Sequence, residues 1–500
     1  MRINRRAFLG TTITALGSAR FLSSVAFANV PGARAPIKVS SEKQLFFDDR
    51  FIAASENVAI TMNPPLKRGP VLKPDKPWED FRFTSYFTVL QDGELARMYY
   101  SCFAVDQWNN PDDPWNKHAY LCYAESKDGF HWDKPELGIV EFNGSKQNNI
   151  LLRSVVDGTV FIDPIAAPER RYKLLHTIGP HAGGLRVSYS ANAVHFTTPE
   201  QPVSPWGPDS QQNAFYDSRI KKYVAWLRAR KDMGIETKNR SVIRVEFDDI
   251  EKPWSDVQPR VVFSADEQDP PDVDFYTNAG VKYEWAQDAY FFFPAAYHHF
   301  DPRFGNDGLV DCSAAVSRDG IVWSRPDRRP YVALGEKGEW DESFMMMGVG
   351  MIRQGDKLYQ YYNGIDISHG GTRKESKASA QGRTRWGWMG AVEQRLDGFY
   401  SADASYAGGW LITPPIIFEG KNLMLNINTS SAGSARVALL GEDDRPLVGY
   451  SLEECDTMMT NNVRHTVTWN QNADLSSISG RPIRLKFAMR SAKLFAFRFS

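Results

Sequence analysis

An acidic residue stands just ahead of an apolar, extended run at five places along this chain. The segments are PWEDFRF, with Glu79 and Asp80; VVDGTVF, with Asp157; PDSQQNAF, with Asp209; PDVDFYTN, with Asp272 and Asp274; and EWDESFMMM, with Asp341 and Glu342. Carboxylates gathered in one cleft repel each other's charge, which raises the pKa of one above the rest. Such a set offers a protonated acid beside an ionised base or nucleophile, the pair that cleavage of an acetal requires.

A second group of residues could hold a polar ligand. AVDQWNNPDDPWNKH (104–118) offers Trp108 and Trp115 as stacking surfaces. HTIGPHAGG (176–184), YHHFDPRFGND (297–307) and DISHGGTRKE (366–375) supply His181, His298, His299, Arg303, His369 and Arg373, and Arg82 follows the first acid. Six of the nine histidines, His176 included, fall in these loops, a bias toward a polar ligand. Adjacent histidines on an extended chain point to opposite faces, so His298 and His299 are not expected to share a metal. No metal or other cofactor is expected.

The elements that must position these residues repeat. SKDGFHWDKP (126–135) returns as SRDGIVWSRP (317–326), 191 residues later. SYSANAVHFTTP (188–199) is a degenerate copy, and VEFDDIEKPW (245–254) and EQRLDGFYSAD (393–403) are weaker ones. Aromatic-rich runs without a helical period keep step: MYYSCF, YKLLHTI, YVAWLRA, YFFFPAAY and YQYYNGI. Five units of about 50–75 residues emerge, each reading strand, turn, central strand, long loop, strand, D-G-type turn, strand. A repeated four-stranded antiparallel unit is the signature of a β-propeller blade. The expectation is an all-β chain with a five-bladed β-propeller over 29–404, or six blades if KQLFFDDRFI (43–52) starts another. From 405 onward apolar and polar residues alternate between hairpin turns, which predicts a C-terminal antiparallel β-sandwich over 405–500.

Blade geometry sorts the acids. Asp92, Asp163 and Asp217 follow inner strands and open the next turn, so they belong to the face opposite the five leading acids, as turn-forming residues. The SKDG turns share that opposite face as scaffold. Cys102 and Cys122 could bridge neighbouring strands or remain core thiols, and the four cysteines have no metal-ligand spacing.

Residues 1–28 carry the twin arginine Arg5-Arg6 in NRRAFLG, a small-residue apolar stretch and Ala26-Phe27-Ala28. This predicts a twin-arginine export signal with periplasmic or extracellular delivery, and no membrane attachment once it is cleaved. The formal charge is −1, and residues 1–28 hold four arginines and no acid, which leaves −5 for the remainder. That mild acidity without a basic stripe excludes nucleic acid and anionic membrane as partners. A monomer is expected.

An export signal, five four-stranded units and a C-terminal run GRPIRLKF…AKLFAFRF together resemble the glycoside hydrolase clan of families 32, 43 and 68, the last segment most closely family 32. That family's N-D-P-N-G, R-D-P and E-C signatures do not stand in their places here: FIDP (161–164) and LEEC (452–455) fall elsewhere in the unit order. The resemblance implies a carbohydrate substrate and acids from the first three blades. By position these would be Glu79 or Asp80 as base or nucleophile, Asp157 as transition-state stabiliser and Asp209 as acid, a glutamate in the family. Asp274 or Glu342 could be the acid instead. The implied function is hydrolysis of a plant or algal poly- or oligosaccharide. Two alternatives stay open: a propeller that binds glycan without cleaving it, and a sialidase-like hydrolase suggested by the S-x-D-G-x-x-W turns.

Overall fold

The computed structural model describes residues 35–80, 82–104, 118–178, 184–207, 210–255, 257–286, 288–371 and 387–500. They are all-β, strands joined by turns and single-turn 3-10 segments, with almost no helix.

The repeated units fold as antiparallel meanders. The first runs Arg82–Asp92, Leu95–Phe103, Ala119–Ser126 and Ile150–Arg153. The second runs Thr159–Ile162, Tyr172–Thr177 and Leu185–Ser190, with a bridge from Tyr189 to Thr197 in the place of a fourth strand. Asn213–Asp217, Lys222–Arg228, Val242–Phe247 and Arg260–Phe263 make the third. In the fourth each strand is broken once, giving Val273–Phe275 with Ala295–His299 and Gly308–Cys312, then Val281–Lys282 with Tyr290–Phe292 and Ala315–Ser317. The fifth pairs Phe344–Met347 with Lys357–Ile365 and then Trp388–Arg395. Its outermost strand, Leu66–Leu72, comes from upstream of the first unit. That exchange ties the first repeat to the last, and Leu66–Leu72 covers the edge of Trp388–Arg395.

Hydrogen bonds and one parallel bridge join neighbouring units. Val160 N donates to Thr88 Oγ1 at 3.4 Å between the first and second units. Asn213 Nδ2 donates to Gly280 O at 2.6 Å between the third and fourth. Val310 pairs with Phe344 in parallel between the fourth and fifth, and Val89 N donates to Val349 O at 2.8 Å where the fifth meets the first. Gln211 Nε2 reaches across to Phe87 O at 2.7 Å. Central strands are buried on both sides (Leu95–Phe103 and Lys357–Ile365 almost throughout) because each meander packs a neighbour on either face.

Two further sheets share one apolar core that includes Phe46, Phe51, Leu425, Val437, Trp469, Phe487 and Phe497. One orders Asn461–Thr466, Leu423–Asn428, Ala492–Phe499, Tyr400–Ala404 and Val58–Met62. The other orders Ala54–Glu56, Gly409–Ile412, Arg484–Arg490 and Ser434–Leu440. Sheet membership therefore departs from the division drawn at 404/405. Residues 54–62 and 400–404 lie in these C-terminal sheets, and Ile37–Ser40 pairs with Ile416–Phe418. Gln44–Leu45 of KQLFFDDRFI pairs with Ala492–Phe499 rather than starting another meander. Strands this short carry no periodicity of their own, and their partners lie several hundred residues away.

Candidate active site

The paired turns fix which end of the meanders is which. At SKDG, Ser126 Oγ accepts from Gly129 N at 2.8 Å, and Asp128 Oδ1 accepts from Phe130 N and His131 N, both at 2.8 Å. At SRDG, Ser317 Oγ and Asp319 Oδ1 repeat all three bonds at the same distances, to Gly320 N, Ile321 N and Val322 N. Each Asp Oδ1 is spent on its own backbone, as turn residues spend it, and Asp128 Oδ2 meets His131 Nδ1 at 2.6 Å. Gln91, Asp92, Gly93, Lys127 and Asp128 line one depression, so the hairpins after the first and third strands share a face.

At the other end the leading acids differ sharply in what holds them. Glu79, in the 3-10 turn Pro77–Glu79, is fully buried. Its Oε1 accepts from Tyr100 Oη at 2.6 Å, and its Oε2 from Lys134 Nζ at 2.7 Å and the backbone N of Asp75 and Lys76 at 2.9 and 3.2 Å. Asp80 is exposed. Arg82 opens the first inner strand, while its side chain lies outside the described residues. Asp341 is buried and takes Lys67 Nζ at 2.7 Å and Tyr362 Oη at 2.8 Å. Glu342 accepts from Lys337 Nζ at 2.8 Å and from Gly338 N. These three acids are ion-pair anchors of their loops.

Asp157 and Asp274 have other partners, Asp274 an arginine among them. Asp157 is buried at the head of the second inner strand, where its Oδ1 accepts from Thr177 Oγ1 and its Oδ2 from Gln212 Nε2 at 3.1 Å. Asp209 lies outside the described residues; its neighbour Ser210 donates from Oγ to Tyr276 O at 3.3 Å. Asp274 is buried, and its Oδ2 meets Arg240 Nη1 at 2.8 Å and His299 Nε2 at 3.1 Å. The head of the second inner strand, the segment leading into the third and Tyr276, just past Val273–Phe275 in the fourth, are thus linked through Gln212 and Ser210.

A cationic and aromatic wall surrounds Asp274. The Arg240 guanidinium lies 4.8 Å from the Tyr276 ring and 5.1 Å from the Tyr297 ring, and Arg228 lies 5.1 Å from Tyr276. Tyr297 packs 3.9 Å from the His299 ring and 4.8 Å from His369, with its Oη 3.2 Å from His369 Nδ1. Burial pushes the Tyr297 hydroxyl well above its ordinary pKa, against the pull of Arg240, so it remains a neutral donor.

The two adjacent histidines do diverge: His299 faces Asp274, and His298 Nε2 meets Asp311 Oδ2 at 3.1 Å on the next strand. Among the described residues no group of three or more His, Cys, Asp or Glu is arranged to hold a metal ion. Arg303 is exposed and folds back onto Asp301 at 3.0 Å, apart from the cluster. Trp108, Trp115, His181 and Arg373 lie outside the described residues.

Arg240, Tyr276 and Tyr297 were not among the residues singled out from sequence. Arg240 ends the long loop after the third central strand, the same position in the unit that yielded the other loop residues. That positional rule, extended to the third unit, reaches it.

No known family profile matches the chain, and no curated protein matches it. Among solved structures it is similar to a glycoside hydrolase, with 13% identity over 66% of this chain and 92% of that one, at a TM-score of 0.43. It is similar also to a glycosyl hydrolase from Bacteroides ovatus, with 14% identity over 72% and 100% and a TM-score of 0.42. A family 43 arabinoxylan arabinofuranohydrolase from Bacillus subtilis gives 11% over 84% and 96%, with a TM-score of 0.40. Likeness at this level does not carry a function.

Proposed function

We propose that this chain is a glycoside hydrolase acting on a plant or algal poly- or oligosaccharide. In this reading the five meanders are the blades of a propeller and the C-terminal sheets a β-sandwich. The twin-arginine segment delivers the protein to the periplasm or beyond. One observation carries the reading: hydrogen bonds link the segments bearing Asp157 and Asp274, two buried carboxylates, beside a wall of Tyr276, Tyr297, His299, His369 and Arg240. Acetal cleavage needs a proton donor and an ionised carboxylate around one anomeric carbon, and sugars dock on aromatic faces with polar groups between them.

A specific observation favours the second reading, glycan binding without cleavage. Glu79, which the family resemblance nominates as base or nucleophile, has both oxygens taken by four donors, one of them Lys134. One experiment separates the two. The purified protein is incubated with an oligosaccharide panel and products are read by mass spectrometry, with binding to the same panel measured in parallel. Cleavage that falls at least about 100-fold in Asp157→Ala and Asp157→Asn, with both variants folded, supports hydrolysis at this site. Binding without cleavage installs the second reading. Cleavage unchanged in both variants displaces the site from Asp157, and neither binding nor cleavage rejects both.

A further inference from the structure

We propose that His299, oriented by Asp274, is a proton-transfer group of this site; the inference rests on the hydrolase reading above. The backbone sets the pair. His299 closes the strand Ala295–His299, and its N donates to Asp272 O at 3.0 Å. Asp274 lies directly across from Tyr297 in the antiparallel pair, so Asp274, Tyr297 and His299 share a face. Tyr297 then packs on the imidazole and fixes its plane.

Exposure divides the labour. The Asp274 side chain is only 10% exposed and that of His299 is 29%. Of the pair, the imidazole is the member more open to a ligand, and the carboxylate bonds its Nε2 from the buried side. Asp274 therefore acts through His299.

The second nitrogen has a partner in every protonation state. Nε2 lies 3.1 Å from the acceptor Asp274 Oδ2 and 3.3 Å from the donor Arg240 Nη1. With a proton on Nε2, the ring donates to Asp274 and presents the Nδ1 lone pair. With the proton on Nδ1, Nε2 accepts from Arg240. When both carry protons, Asp274 stabilises the imidazolium. Loss or gain of a proton at Nδ1 thus leaves no buried nitrogen unpaired, the cost that normally opposes such exchange.

The titratable and charged groups facing His299 are Asp274 from the inner strand, Arg240 from the third unit's loop and Tyr297 on its own strand, while Asp272 meets it through its backbone carbonyl. His369 stands behind Tyr297. In glycoside cleavage Nδ1–H gives its proton to the leaving oxygen as the C–O bond breaks and the electron pair passes to that oxygen. Water adds to the anomeric carbon and yields a proton to a carboxylate of the site, which releases it to solvent, while solvent reprotonates Nδ1.

The test compares wild type, His299→Gln and Asp274→Asn on the glycosides found to be cleaved, with alkoxide and dinitrophenolate leaving groups. His299→Gln is expected to lose about 10²- to 10⁴-fold on the poor leaving group and to change little on dinitrophenolate, which needs no proton. Asp274→Asn is expected to shift the basic limb of kcat/KM to lower pH, because the imidazolium loses its counter-charge. As a check that needs no variant, nitrogen-15 spectra of the wild type are expected to show His299 Nε2 protonated near neutrality. Equal losses on both leaving groups, no loss, or an Nε2 without a proton overturn the inference while the hydrolase reading stands. A wild-type protein that cleaves no glycoside overturns both.

Discussion

Tyr223 Oη donates a hydrogen bond to Asp163 Oδ2 at 2.8 Å, joining the central strand of the third meander to the end of the second inner strand. The same relationship recurs on either side: Tyr172 Oη to Asp92 Oδ2 and Tyr290 Oη to Asp217 Oδ2, both at 2.6 Å. Each aspartate stands at the end of one inner strand and each tyrosine begins the next unit's central strand, so the bond is a latch between consecutive units. Asp163 is the acid of FIDP, which motif matching alone would select for catalysis. Tyr223→Phe removes the donor from a buried carboxylate and is expected to cost about 1–3 kcal/mol of stability, with kcat on any cleaved glycoside unchanged. Chemical denaturation and steady-state rates check it. A rate loss without a stability loss would return Asp163 to the site.

The SKDG hairpin is closed by packing as well as by conformation. Gly129 has φ +73°, and a Cβ there would meet Ile352 Cδ1 at 2.5 Å and Tyr361 Oη at 2.6 Å. Gly93, at the turn two strands earlier, has φ +65° with nothing near. Gly93→Ala is expected to cost about 1–2 kcal/mol from the left-handed backbone alone. Gly129→Ala adds about 1–3 kcal/mol of overpacking. Equal midpoints in urea for the two variants would show that the enclosure does not matter.

The repeat was legible because its turn chemistry is local: Ser126 and Asp128 bond residues within three positions of themselves, so the pattern survives in the linear sequence. The degenerate copy obeys it too, with Asn192 Oδ1 accepting from His195 N at 2.9 Å. The separation of Asp92, Asp163 and Asp217 from the leading acids followed from strand direction, which that register supplies. What the sequence hides is partnership at a distance. Lys134, which occupies Glu79, lies 55 residues downstream in the tail of the first repeated turn. The strand Leu66–Leu72 contains both glycine and proline and carries no apolar run, and its partner Trp388–Arg395 lies more than 300 residues on. An acid ahead of a strand reads the same whether a lysine will hold it, as at Glu79, or an arginine and a histidine, as at Asp274.

Cys102 Sγ and Cys122 Sγ lie 3.4 Å apart, buried between adjacent strands as free thiols. Burial raises both pKa values, so neither forms a ready thiolate. A thiol reagent is therefore expected to find no fast-reacting group in the native protein and four in the unfolded one. A count of two after unfolding would mean that the exported protein carries a Cys102–Cys122 bridge.

His176 gives the fold an acid-sensitive point. It is fully buried, with Nδ1 3.0 Å from Thr177 O and Nε2 2.7 Å from Ser188 Oγ, and burial holds its pKa at about 4 against an ordinary 6.5. The unfolded chain takes up its proton near the ordinary value, while the folded chain does not until about pH 4. Its contribution is therefore complete above about pH 6.5 and is lost as the pH falls toward 4. The shift corresponds to roughly 3 kcal/mol over that window, since one pKa unit is about 1.4 kcal/mol. Replacing the ring with a side chain that does not titrate removes this slope and keeps whatever packing cost the replacement brings. His176→Gln is accordingly expected to be less stable than wild type at pH 7 and to lose less of its stability between pH 6.5 and 4. Urea midpoints at half-unit pH steps measure both quantities, and parallel curves for the two proteins would mean that His176 does not set the acid limit.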